Sequence, residues 1–438
     1  MKKSLLLFFF AASCLCMSAQ NATPIITVTY PVDGTPHELN FGSAVAEDNV
    51  VTIDWGDGKI VEGATLKGVY DDYNVTSTSV SGTPVGTGVV KIYATKPLND
   101  FECTSNMNGT GATQLDVTLA TELTSLSANG NKLTTIDLSK NTKLLDVELN
   151  NNLLTEVKLP ASLTKLNLQG NKLTSFDGSA LTALTTLYLS NNAISTLDLS
   201  ANTKLKNIYV LNCGLKSFTL GANTTSKLYV SVNNNKLTSL DVTEATGLSG
   251  GRLFAMNNNL TELKYASIGT ANIAGNCFTL ATLPYSNIKT LTYAPQQAMP
   301  IGTIVETIDL SAQNNLTGLA TAAQTTTYTW YKADGTALTE GTDYTADNGK
   351  FTFVKEQTDS VYCTMSTAAF PKFTGSSIFK TALAKVSVST AINGINGTAK
   401  SAKVEAFTLD GRKADANNLR HGVYVLRSEG KARKVVVK

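Results

Sequence analysis

Apolar residues in the middle of the chain fall on alternate positions, in short bursts separated by polar turns. Leu123, Leu126 and Ala128 form one inward set. Val147 and Leu149, Leu166 and Leu168, Leu187 and Leu189, Ile208 and Val210, and Val230 and Val232 repeat it. Period-two alternation predicts a short half-buried strand at each burst. The second half of each unit alternates again, as in Leu133-Thr-Thr-Ile-Asp-Leu138 and Ile194-Ser-Thr-Leu-Asp-Leu199. These stretches are too short for a helix with two turns and are rich in Thr, Ser and Asp, which disfavour helix. They predict short extended or 3₁₀ segments. A unit this small cannot bury its apolar face alone, so consecutive units must stack into a solenoid.

Each burst is followed by a polar residue at a fixed place. It is Asn106, Asn131, Asn152, Asn171, Asn192, Cys213, Asn235, Asn258 and Asn276, with Gln296 in a degenerate tenth copy. The steps run from 18 (Asn258 to Asn276) to 25 (Asn106 to Asn131) and centre on about 21 residues. The pattern LxxLxLxxNxL resembles the leucine-rich repeat, here of a short ~21-residue kind. The chain turns inward after each strand, leaving backbone groups buried, and an Asn side chain can both donate to and accept from them. The ladder is therefore read as structural. This region resembles the leucine-rich repeats of internalin-like and BspA-like bacterial surface proteins, which implies binding rather than catalysis.

Flanking segments read as β as well. In Val51-Thr-Ile-Asp-Trp-Gly-Asp-Gly-Lys-Ile60, two strands meet at a glycine turn. The string Asp54-Trp-Gly-Asp-Gly58 resembles PKD-type β-sandwich modules. Asp54 and Asp57 are read as turn-forming carboxylates rather than calcium ligands, because no further oxygen cage accompanies them. After the repeats, Tyr328–Tyr331, Phe351–Val354 and Val361–Cys363 read as strands. Trp330 with Tyr362-Cys363 resembles an immunoglobulin-like sandwich without the inter-sheet disulfide, so Trp330 is expected against the Cys363 thiol. At the end, Asp410-Gly-Arg412, Gly422-Val-Tyr-Val425 and the terminus Lys434-Val-Val-Val-Lys438 resemble the type IX secretion sorting domain of the Bacteroidetes. That resemblance implies export and contact with outer-membrane secretion and anchoring machinery.

The leader supports export. Lys2 and Lys3 precede an apolar run, Leu5 to Ala12, and small residues Ser18 and Ala19 offer a cleavage site. A rival reading makes Cys14 a lipidated residue after Ala11-Ala12-Ser13, which lacks the usual Leu. The expected organisation is a signal peptide at 1–19, a PKD-like β-sandwich at 20–96 and the solenoid at 97–298. An immunoglobulin-like sandwich at 299–390 and a sorting domain at 391–438 complete it. The fold class is mostly β, a leucine-rich-repeat solenoid flanked by β-sandwich domains.

Composition narrows the function. Charged residues make up only 16%, and removing Lys2 and Lys3 leaves 34 basic and 34 acidic residues. A neutral chain offers no electrostatic case for nucleic acid. The two histidines, His37 and His421, lie far apart in sequence, which argues against histidine metal sites and Ser–His catalysis. No cofactor motif is present, and Glu148 stands nearly alone as an acid at outward repeat positions. Cys103, Cys213, Cys277 and Cys363 are too far apart in repeat register for disulfides and are expected as buried thiols. The positive signal is aromatic. Outward positions of the concave sheet carry Tyr188 and Tyr209, then Tyr229, then Arg252 and Phe254, where earlier repeats carry Ser127, Glu148 and Asn167. Aromatic and Arg clusters make interface hot spots. The expectation is a secreted or surface-attached, non-enzymatic protein that binds a protein partner through this strip. A glycan ligand, or a spacer without a ligand, is the alternative.

Overall fold

The computed structural model describes residues 23–67, 76–105, 110–388, 405–416, 418–428 and 431–437. The leader with Cys14, the first ladder residue Asn106 and residues 391–404 of the expected sorting segment lie outside the described residues. The chain is mostly β and divides into two compact units, residues 1–297 and 298–438.

The first unit opens with β1 (Ile26–Thr29), β2 (His37–Ser43), β3 (Asn49–Asp54), β4 (Ile60–Leu66), β5 (Thr76–Gly82) and β6 (Val89–Ala94). The first solenoid turn contributes β7 (Asp100–Glu102) and β8 (Gln114–Asp116). These strands do not form a separate body. One sheet runs β4-β3-β6-β1-β8, with β1 antiparallel to β8. The strand β2 pairs with β5 on one side and β7 on the other, with Phe41 opposite Phe101 and their rings 5.6 Å apart. Both strands of the first turn are thus covered by an antiparallel partner, which removes the exposed edges a solenoid end presents. Residues 20–96 and 97–298 share sheets across the boundary expected from sequence.

Among the described residues, ten parallel strands follow one another from Asp100–Glu102 to Ile288–Thr292 in a twelve-stranded sheet that ends on β2 and β5. The register is strict: Leu126, Val147, Leu166, Leu187, Ile208, Val230 and Leu253 are successive Cα partners. All seven are buried, so this column is the solenoid core. The opposite face carries shorter parallel pairs, Thr135–Asp137 with Glu156–Lys158, Thr196–Asp198 with Ser217–Thr219, and Ser239–Asp241 with Glu262–Lys264. A 3₁₀ turn, Thr246–Gly250, also occurs.

In the second unit, Thr326–Lys332 pairs with Val361–Thr367 and places Trp330 directly across from Cys363. Both are fully buried. The Trp330 ring meets Phe351 and Phe353 of a neighbouring five-stranded sheet edge-on, at 5.5 and 5.2 Å. Residues 405–437 form a four-stranded antiparallel sheet whose first hairpin turns at Gly411, with φ of +86°. Among the described residues, no helix is long and apolar enough to cross a membrane.

Candidate functional site

The ladder residues sit where the chain leaves each strand and turns into the core. Asn171 shows the pattern. Its amide donates to the carbonyls of Leu149 and Leu168, both at 3.0 Å, and its Oδ1 accepts from the N–H of Leu154 at 3.0 Å. Asn131, Asn152, Asn192, Asn235, Asn258 and Asn276 bond in the same way. Gln296 donates to Ile273 and Tyr293. At Cys213 the thiol lies 3.2 Å from the Leu189 carbonyl and 3.4 Å from that of Leu211, with a single proton to give.

Two supporting devices were not read from sequence. The residue before each ladder position from Asn131 to Asn276 is Gly130, Asn151, Gly170, Asn191, Asn212, Asn234, Asn257 or Gly275, and every one has positive φ. Only Gly and Asn tolerate that region routinely, so the Gly-Asn and Asn-Asn pairs were the available signal. On the opposite face, Asp116, Asp137, Asp177, Asp198 and Asp241 each accept the N–H two residues on, turning the chain back toward the core. In two of these turns a second buried Asn completes the bonding: Asn141 donates to Val117 and Ala120, and Asn202 to Gly178 and Leu181. The recurring Asp-Leu-Ser-x-Asn-Thr-Lys-Leu string marks them.

The twelve-stranded face carries the aromatic strip. Tyr188 and Tyr209 are Cα partners and stack with centroids 4.7 Å apart and planes 7° apart. The strip then changes column. Tyr209 pairs in register with Ser231, while Tyr229 sits one outward position earlier, beside Asn207 and Arg252. The small Ser231 leaves room for the Tyr229 ring to lean across. It reaches Tyr209 at 5.0 Å and Phe254 at 5.4 Å. The result is one run of four half-buried rings, Tyr188–Tyr209–Tyr229–Phe254, with exposed Arg252 beside it. Burial and the neighbouring tyrosines push the Tyr209 hydroxyl above its ordinary pKa.

The same face is acidic at its other end, which corrects the expectation that Glu148 stands nearly alone. Asp100 and Glu102 on one strand and Asp146 and Glu148 two strands on flank Ser125 and Ser127 there, because the residue preceding each central apolar position also faces outward. Lys165 bridges Asp146 at 3.1 Å and Glu148 at 2.5 Å. Burial, then the charges of Glu102 and Asp146, raise the Asp100 carboxyl against a hydrogen bond from Ser125.

The remaining candidates resolve as structure. One carboxylate oxygen of Asp54 accepts the N–H groups of Gly56 and Gly58, both at 2.9 Å, and the other faces Lys91 at 3.5 Å. Asp57 accepts from Lys59. Among the described residues no cluster of three His, Cys, Asp or Glu could hold a metal. Cys103, Cys213 and Cys363 are buried free thiols, and burial raises Cys103 and Cys363 to about 12. Cys277 departs from expectation. It is only half-buried, because it lies just past the ladder at the surface beside Gln297.

Residues 161–201 match the family model for leucine-rich repeats in two copies. Among solved structures the chain is similar to the functional domain of InlJ from Listeria monocytogenes, described as including a cysteine ladder. The identity is 21%, over 66% of this chain and 67% of that one, with a TM-score of 0.42. No curated protein matches.

Proposed function

We propose that the chain is an exported, surface-attached or released recognition protein without enzymatic activity. It binds a protein partner through the twelve-stranded face of its leucine-rich repeats, anchored on Tyr188, Tyr209, Tyr229, Arg252 and Phe254. The observation that carries this reading is the continuous stack of four half-buried rings. Contiguous aromatic surface on a soluble protein marks a contact, and aromatic residues with Arg dominate interface energetics. In this reading the leader and the Asp410-Gly-Arg412 tail direct export and engage the secretion machinery.

The ring geometry favours a protein over a glycan at this strip. A sugar stacks on an open ring face. Here the rings cover one another, at 4.7, 5.0 and 5.4 Å between centroids, so most of what they offer outward is edges and hydroxyls. Ring edges carry the positive side of the quadrupole, and tyrosine hydroxyls donate. Backbone carbonyls, carboxylates and aromatic faces of a protein suit that surface.

The test is direct binding of the mature chain to a panel of matrix and cell-surface proteins, beside a panel of polysaccharides. Saturable binding to a protein, abolished in the Tyr188→Ala, Tyr209→Ala, Phe254→Ala triple variant with unchanged circular dichroism, supports the proposal. Retained binding by the folded triple variant sinks it. Absence of any binding moves the reading to a spacer whose repeats set distance.

A further inference from the structure

We propose a second binding site, on the opposite face of the solenoid, that takes a neutral saccharide against the ring of Phe176. It does not rest on the aromatic strip. Its origin is a single break in the repeat. Where neighbouring turns place Leu159 and Leu199, this turn has Gly178. The segment around Phe176 belongs to no strand, so the short ladders on either side, ending at Glu156–Lys158 and Thr196–Asp198, are not joined. The Phe176 ring folds over the glycine, with its Cε1 3.0 Å from where a Cβ would stand.

Two cavities result, and Phe176 lines both. One measures about 310 Å³ and the other about 210 Å³. The ring therefore borders open space on two sides, unlike the rings of the strip, which border one another. The larger cavity reaches the lower end of the ~300–1,000 Å³ range typical of small-ligand sites. Beyond the ring it is lined by the carboxylates of Asp177 and Asp198 and the hydroxyls of Ser175, Thr196, Ser217 and Thr219.

That chemistry selects the ligand class. One oxygen of Asp177 is taken by the N–H of Ser179 and one of Asp198 by that of Ser200, at 2.9 and 2.8 Å. Neither carboxylate has an ion pair among the described residues, whereas Asp137 on the same face holds Lys158 at 3.1 Å. No Lys or Arg lines the cavity, so an anion meets two negative charges and no cation. Among the described residues no third His, Cys, Asp or Glu joins Asp177 and Asp198 to hold a metal. A neutral pyranose satisfies all three surfaces. Its hydroxyls donate to the carboxylates and accept from Ser and Thr, and its C–H face covers the ring.

The experiment titrates the full-length chain by calorimetry with neutral di- to tetrasaccharides of glucose, galactose, mannose and N-acetylglucosamine, and with a uronic-acid oligosaccharide. Saturable binding to a neutral sugar is expected, with the uronate weaker. Phe176→Leu keeps the aliphatic character of the equivalent Leu197 and Leu240 while removing the ring. It and Asp198→Asn should each weaken binding at least about tenfold, a loss of about 1.4 kcal/mol. Asp116→Asn, on the same face outside both cavities, should leave it unchanged. Binding by none of the neutral sugars overturns the proposal, as does preference for the uronate. Affinity unchanged in both site variants overturns it too. Should Phe176→Leu lower the melting temperature, Asp198→Asn alone decides.

Discussion

Asn235 Oδ1 accepts the backbone N–H of Cys213 at 3.0 Å, so the one ladder position filled by a thiol is held by the carboxamide of the next turn. The same oxygen accepts from Leu215, also at 3.0 Å. Cys213 cannot return the service in full. An Asn there would donate to the Leu189 and Val210 carbonyls and accept from Ile194, by analogy with Asn171 two turns away.

The ladder therefore predicts opposite signs at two positions. Asn171→Ala leaves the Leu154 N–H buried without a partner, at a cost of about 1–3 kcal/mol, and takes one of two donors from the Leu149 and Leu168 carbonyls, which keep Asn152 and Asn192. Cys213→Asn adds bonds and should stabilise by about 0.5–1.5 kcal/mol. Urea unfolding of both variants checks this. A destabilised Cys213→Asn would show that the site is shaped for sulfur rather than tolerating it.

The strip makes a prediction about Ser231. Its small side chain lets Tyr229 lean between Tyr209 and Phe254. Ser231 is buried, so Ser231→Leu would overpack the site at about 1–3 kcal/mol and evict the Tyr229 ring. A double-mutant cycle on Tyr209 and Tyr229 should give about 0.5–1.5 kcal/mol of coupling in the wild-type background. In Ser231→Leu that coupling should vanish. Persistence of the coupling would mean that Ser231 does not set the stack.

How far the sequence reaches is visible in these same residues. Leu126 to Leu253 announce themselves because a period of two admits one arrangement, and the Asn ladder because its residue type repeats. Tyr188 and Tyr209 were legible as a pair for the same reason. The crossing to Tyr229 was not, because it depends on which side chain is small enough at Ser231. Phe176 was passed over because one Gly for Leu is a weak signal until the neighbouring strands are seen to stop. The sharing of sheets between residues 20–96 and the first repeat depends on pairing β1 with β8 and β2 with β7. Contacts of that range leave no periodic trace.

Acid should loosen that N-terminal cover first. His37 lies on β2, stacks on Tyr30 with ring centroids 3.9 Å apart, and has a buried Nε2 without a partner. Burial lowers its pKa below 6.5, and the charge of Asp33 opposes this only in part. The unfolded chain then takes up a proton before the folded one does. Its contribution to stability is full above pH 6.5 and falls as pH drops through the folded value. His37→Phe should flatten the fall in melting temperature between pH 7 and pH 5. A wild-type melting temperature that holds or rises over that interval would remove His37 as the cause.

The Asp54-Trp-Gly-Asp-Gly58 turn gives a last prediction, about what calcium will not do. Asp54 already spends one oxygen on Gly56 and Gly58 and turns the other to Lys91, so little negative charge is left to attract a divalent ion. The turn is held by backbone closeness instead. A Cβ on Gly56, at φ of +111°, would stand 2.2 Å from the Val85 carbonyl oxygen, and one on Gly86 would stand 2.3 Å from that of Gly56. Gly56→Ala should cost about 1–3 kcal/mol from the backbone conformation alone, before the clash is added. Adding calcium, or a chelator, should leave the melting temperature of the wild-type chain unchanged. A calcium-dependent rise that disappears in Asp54→Asn would show that this carboxylate binds metal after all.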